Sequence, residues 1–198
     1  QVLEAARLMG VPFIAEGAGG EAPAVEDDRF SPEFESSLQG FVDIVNQAAE
    51  HAAAYGVKLT IKPHVGTAVY SQETILRAMQ DVDREWVGIN YDPTHIWRSP
   101  ELKQDPVEVL KAVKEHVFTL RIRDNRASRE RPIGPVEQQI PGNGALDLPA
   151  LAAVMKTIDR APCATLEIVG THGGTGYPLE DVQDVIERSF AYLQPLLA

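Results

Sequence analysis

With 198 residues, 44% of them hydrophobic and 24% charged, the chain is long enough for one domain with its own core, 1–198, and has the make-up of a globular protein. A formal net charge of −11 argues against a nucleic-acid backbone or an anionic membrane as the main partner. The single cysteine, Cys163, excludes an intramolecular disulfide, and no apolar run approaches the ~20 residues that a bilayer demands, so a reducing, cytoplasmic setting is expected.

The chain reads as helix from its first residue, Gln1 to Met9, without a cap, as if it started inside a longer domain. Gly10 supplies a left-handed stop, and Val11 to Ala15 reads as a short strand running to Glu16. A polar, Gly-rich loop fills 17–30. Ser31, with Pro32 next and Glu33 and Glu35 in the first turn, opens a helix whose apolar residues from Phe34 to Ala52 recur at helical spacing until Gly56. Val57 to His64 is the next strand, Ser71 opens a short helix, and Val87 to Asp92 is a third strand. Asp105, Pro106 and Glu108 mark a helix start with the spacing of a capping box. Val117 to Asp124 is a fourth strand, and a weak one is expected near 139–146. Asp147 caps a helix that carries Leu151 and Val154, Cys163 to Val169 is the last clear strand, and a final helix runs from about 179 to 193. Strands alternating with helices predict right-handed βαβ units and a parallel sheet, whose C-terminal strand ends face the site.

Those ends hold the chemistry. Asp92 sits at a strand tip before Pro93, which has no N–H to give a sheet, and His95 follows on the loop, close enough for oxygen and nitrogen to meet at a divalent ion. Read blandly, Asp92 caps the turn and His95 is a satisfied loop histidine. Lys62 and His64 straddle the previous tip around Pro63. Arg121, Arg123 and Asp124 end the next strand, and Glu167 lies near the end of the last.

Taken together, Ile61-Lys-Pro-His64, Tyr91-Asp-Pro-Thr-His95, Leu120-Arg-Ile-Arg-Asp124, Pro141-Gly-Asn-Gly-Ala-Leu-Asp147 and Thr165-Leu-Glu-Ile168 resemble the tips of the sugar phosphate isomerase/epimerase family. The resemblance covers about residues 1–193 and implies the xylose isomerase-like TIM barrel, an α/β fold. It starts near the family's third strand, so the barrel is expected to be incomplete at the N-terminus by about two βα units. It also implies a divalent metal, Mn, Mg or Zn, on a Glu, an Asp, a His and a Glu. Asp92 and Glu167 match that pattern, whereas Lys62 stands in the first Glu position and Arg121 in the His position.

Two readings follow. In the first, the protein is a sugar or sugar-phosphate isomerase or epimerase that abstracts a proton next to a carbonyl. Glu167 and Lys62 are then the bases; Asp92, Glu167 and His64 or His95 hold the metal; and His95, Arg121, Arg123 and Trp97 contact substrate. In the second, the mouth is neutralised by Lys62–Asp92 and Arg121–Glu167 pairs, and the fold is a metal-free binder of carbohydrate or of an anionic ligand. The second reading draws on the segment 121–131, which holds five of the chain's 18 basic residues. A third, an abasic-site endonuclease of the same superfamily, is disfavoured by the charge and by five histidines too scattered for a multi-metal cluster. An open sheet edge motivates the expectation of a homo-oligomer.

Overall fold

The computed structural model describes residues 1–17, 31–159, 163–171 and 177–198. The loop expected at 17–30, apart from Gly17, the side chain of Glu16 and His172 lie outside the described residues. Five parallel strands, β1 (Phe13–Gly17), β2 (Lys58–Lys62), β3 (Val87–Tyr91), β4 (Val117–Ile122) and β5 (Ala164–Leu166), pair in sequence order and curl into a half-barrel. The helices between them are α1 (Val2–Leu8), α2 (Pro32–Ala53), α3 (Gln72–Ala78), α4 (Pro93–Trp97), α5 (Pro106–Val113), α6 (Val136–Gln139), α7 (Leu148–Met155) and α8 (Leu179–Leu197). Among the described residues, no helix is long and apolar enough to cross a membrane.

Local chemistry sets most of these boundaries. The Ser31 side chain accepts from the amide of Phe34, and Pro32 stands first in α2, where its missing N–H costs no helical hydrogen bond. Gly10 at φ 68° and Gly56 at φ 67° turn the chain from α1 and α2 towards the following strands. Asp105 caps α5 as expected, accepting from Val107 and Glu108 amides, but Glu108 pairs with Lys111 at 2.7 Å.

Alternation along the strands divides the two faces of the sheet. Leu59, Ile61, Val87, Ile89, Tyr91, Val117 and Leu120 join the hydrophobic core with residues of α2, α3, α5 and α7. The Tyr91 hydroxyl donates to the Pro106 carbonyl at 2.5 Å, tying β3 to the start of α5. Between β3 and β4 the register slips: Ile89 pairs with Val117 and Asn90 with Thr119, so Phe118 is an extra residue, a β-bulge. Its ring lies 6.0 Å from that of Phe13, and it covers Gly88 so closely that a Cβ there would overlap it. Gly88→Ala is therefore expected to cost about 1–3 kcal/mol through overpacking, read as a lower urea midpoint with an unchanged slope.

The weak strand expected near 139–146 is absent; α6 and a turn take its place. Pro141 has no amide to give a ladder, and the neighbouring amides find another acceptor. Asp124, 1% exposed, accepts from the backbone N–H groups of Asn125 (2.8 Å), Gly142 (3.1 Å) and Leu146 (3.0 Å). This carboxylate clips the 141–146 turn to the end of β4. Asp147 caps α7 by accepting from Ala150 at 3.0 Å, as expected.

Candidate functional site

The C-terminal ends of β2 to β5 bring together side chains that are far apart in sequence. His95, expected on a loop, lies on the single turn of α4, because Asp92 caps that turn and Pro93 occupies its first position. Asp92 Oδ1 accepts from the amide of Thr94 at 3.0 Å and from its hydroxyl at 2.6 Å. Asp92 Oδ2 lies 3.0 Å from Arg123 Nη2, 3.5 Å from His95 Nε2 and 3.9 Å from Lys62 Nζ. Glu167 Oε1 is 2.7 Å from Arg121 Nη1, and its Oε2 is 3.1 Å from Arg123 Nη1 and 3.4 Å from Lys62 Nζ.

Arg123 is the keystone. It is 1% exposed, donates through Nε to the Thr94 hydroxyl at 2.9 Å, and bridges the two carboxylates. Thr94 in turn donates to Asp92 while accepting from Arg123, so its one hydroxyl serves both neighbours. Neither Thr94 nor the central place of Arg123 was anticipated from sequence. The Asp-Pro-Thr order, an acceptor two residues before a hydroxyl at a helix start, is the signal that could have shown Thr94.

His64 and His95 stack with ring centroids 3.9 Å apart. The His64 Nδ1–H donates to the Val65 carbonyl at 2.7 Å. His95 Nε2 stands 3.5 Å from both Arg123 Nη2 and Asp92 Oδ2, and its Nδ1 is buried without a partner. Burial lowers the pKa of both imidazoles. Nearby cations, Lys62 and Arg98 for both rings and Arg123 for His95, push the same way, so both rings are held neutral at physiological pH.

That has a measurable sign. Below its ordinary value of 6.5, His95 takes up a proton in the unfolded chain but not in the folded one, so stability falls as pH drops through that window. The slope attributable to His95 is at most about 1.4 kcal/mol per pH unit. Urea midpoints between pH 7 and 5.5 are expected to fall in the native chain and to fall less in His95→Phe; equal slopes would show that His95 does not titrate differently on folding.

The other titrating groups are pulled by opposing forces. Burial lowers the Lys62 pKa and outweighs the raising effect of Asp92 and Glu167, with Arg121 and Arg123 lowering it further. Burial pushes Glu167 up, yet Arg123, Lys62 and Arg121 together hold it below the ordinary carboxylate value.

The expected metal ligands Asp92, Glu167, His64 and His95 are thus neighbours, but they do not fit a divalent ion. All four carboxylate oxygens are already engaged by hydrogen-bond donors or cations. Protonated Lys62, Arg121 and Arg123 have no lone pair to offer. Among the described residues there is no group of three or more His, Cys, Asp or Glu arranged to hold a metal. Lys62, expected as a base, and Arg121, expected at substrate, both belong to the mouth.

Trp97 is placed differently: its Nε1 donates to the Arg126 carbonyl at 2.9 Å and the Arg129 guanidinium lies 4.0 Å over its ring. The remaining basic residues of 121–131 are likewise pinned. Arg126 donates to the carbonyls of Pro132 and Ile133, Arg129 to that of Gln104, and Arg131 pairs with Glu101.

Comparison with known proteins agrees with this architecture. A family model described as xylose isomerase-like TIM barrel matches residues 1–195. A curated relative, the inosose dehydratase of Lactiplantibacillus plantarum, is 32% identical over 114 residues, which span 52% of this chain and 37% of the relative. Among solved structures, the IolI protein with a bound zinc atom superposes with a TM-score of 0.73 at 19% identity, over 99% of this chain and 66% of that one. D-psicose 3-epimerase with D-tagatose, from Clostridium cellulolyticum H10, does so with a TM-score of 0.75 at 13% identity, over 99% and 68%. At such identities the likeness to solved structures is one of fold.

Proposed function

Because the chain belongs to the xylose isomerase-like TIM barrel family, we propose that its strand-tip mouth acts on a sugar or related polyhydroxylated carbonyl compound by proton transfer at the carbon beside the carbonyl. The observation that carries this reading is the cluster itself: an ammonium of lowered pKa, Lys62, 3.4 Å from Glu167 and beside two guanidiniums, in the place where substrates meet parallel barrels. Lys62, in its neutral form, takes the proton as the C–H bond breaks. The electron pair moves onto the carbonyl oxygen, and the guanidinium of Arg121 stabilises the negative charge that develops there. Returning the proton to the other face or the neighbouring carbon gives epimerisation or isomerisation, and loss of a hydroxyl from the next carbon gives dehydration. The curated relative named a dehydratase and the fold relative named an epimerase support this shared first step.

A second reading, a metal-free binding protein, is favoured by the Lys62–Asp92 and Arg121–Glu167 pairs being already closed. One experiment separates the two. The protein is incubated with EDTA in D2O together with ketohexoses and keto-inositols, and loss of the α-proton signal is followed by NMR. Exchange that survives chelation supports the enzyme without a metal. Exchange that stops on chelation overturns the role given to the cations, and binding without exchange favours the second reading.

A further inference from the structure

We infer that the mouth binds an oxyanion, the carboxylate or phosphate of a small hydroxylated molecule, between Lys62 and Arg121, and excludes divalent cations. This rests on the mouth being the substrate site and names the class of substrate. Charge comes first. With Lys62 in the protonated form that its ion pairs require, three cations, Lys62, Arg121 and Arg123, face two carboxylates, Asp92 and Glu167, which leaves one unit of positive charge in the form that takes up the ligand. The stacked imidazoles add none, being neutral, and Arg98, half-buried nearby, adds to the positive field that Arg123 and the histidines feel.

Donors and access come second. Arg123 is turned inward: its Nε donates to Thr94 and its Nη2 to Asp92, while its Nη1 is buried 3.1 Å from Glu167 as an ion pair without a hydrogen bond. Arg121 uses Nη1 on Glu167, while its Nε is buried without an acceptor. Lys62 has one hydrogen bond, to Glu167, and three N–H groups. Lys62 and Arg121 are also the cations of the cluster with solvent access, their side chains 17% and 24% exposed against 2% for Arg123. Surplus charge and access coincide on these two residues, with N–H groups to spare on Lys62, and a two-oxygen anion is the ligand that matches a guanidinium beside an ammonium. The same feature repels a divalent ion, which would meet three cations and no unengaged carboxylate oxygen.

The test is calorimetric titration of the 198-residue chain with inorganic phosphate, with D-gluconate and with Mn²⁺. Phosphate or gluconate is expected to bind, whichever binds more tightly marking the ligand as phosphate-bearing or carboxylate-bearing. Affinity is expected to fall at least tenfold in Lys62→Met and in Arg121→Met, and to be largely kept in Lys62→Arg, whose fold serves as a control by circular dichroism. One Mn²⁺ per chain, lost in Asp92→Asn, would overturn the inference, as would no binding of either anion at 10 mM. Proton exchange on a neutral ketose without anion binding would defeat this inference alone; anion binding without exchange would defeat the proposed activity and leave the inference standing.

Discussion

Arg123→Met is expected to destabilise the fold by about 3–5 kcal/mol, the range for removing one partner of a buried ion pair. Arg123 is 1% exposed and Asp92 1%, so the carboxylate left behind has little water to turn to, and Lys62 at 3.9 Å is a poor substitute for a guanidinium at 3.0 Å. Asp92 and Glu167 would also lose the guanidinium that bridges them, leaving Lys62 as the cation near both and Arg121 beside Glu167 alone. The loss corresponds to a fall in Tm on the order of 10 °C for a domain of this size. A thermal or urea melt reads it directly. Asp92→Asn added to Arg123→Met is expected to restore a substantial part, since it removes the stranded charge. A double variant no more stable than the single one would mean that packing of the guanidinium, not pairing, was lost.

Lys62→Met is expected to slow α-proton exchange by at least ~10²-fold, the lower range for removing a positioned acid–base group, while changing stability little. Lys62 is partly exposed, and its loss leaves both carboxylates paired with Arg123 and Glu167 also with Arg121. Lys62→Arg is the informative companion. It keeps the charge that an anion needs, but a guanidinium stays protonated at any working pH and carries no proton to or from carbon. Anion binding kept with exchange lost would separate the two duties of this residue. In the native chain, exchange is expected to rise with pH as the ammonium gives up its proton, with a midpoint below the ordinary lysine value of 10.5. A midpoint at or above that value, or full exchange in Lys62→Arg, would remove Lys62 from the proton path.

The sheet could be read from the sequence because its signals are local. Pro63 after Lys62, Pro93 after Asp92 and the apolar alternation from Val87 to Tyr91 each act within a few residues, and the strands lie close to where they were expected. Asp92 was legible both as a cap and as a mouth residue, and it is both. The network around it was less legible, because it is built across long separations: Lys62 meets Glu167 over 105 positions and Arg123 meets Asp92 over 31. Local patterns carry no information about which of two arginines, Arg121 or Arg123, will be buried. The turn at 141–146 was misread for a similar reason, since the acceptor that replaces a neighbouring strand is the side chain of Asp124, 18 positions before Gly142. Trp97 is readable from sequence as a residue beside the β3 tip, but not its partner over one face of the ring, Arg129, 32 positions later in the chain.

The alternation of β3 separates two vocabularies written into the same few residues. Val87, Ile89 and Tyr91 belong to the core, while Gly88 and Asn90 lie between them on the opposite side and lead to Asp92 at the tip. Because every second position answers to a different environment, the charged set can be exchanged for another without rewriting the apolar set that holds the helices. A chain of this family can therefore keep the architecture while an ammonium and a guanidinium, Lys62 and Arg121, stand where the resemblance led one to expect a carboxylate and an imidazole. For the same reason, likeness of fold is a poor guide to the chemistry at the mouth of this half-barrel, and the tip residues have to be read one at a time.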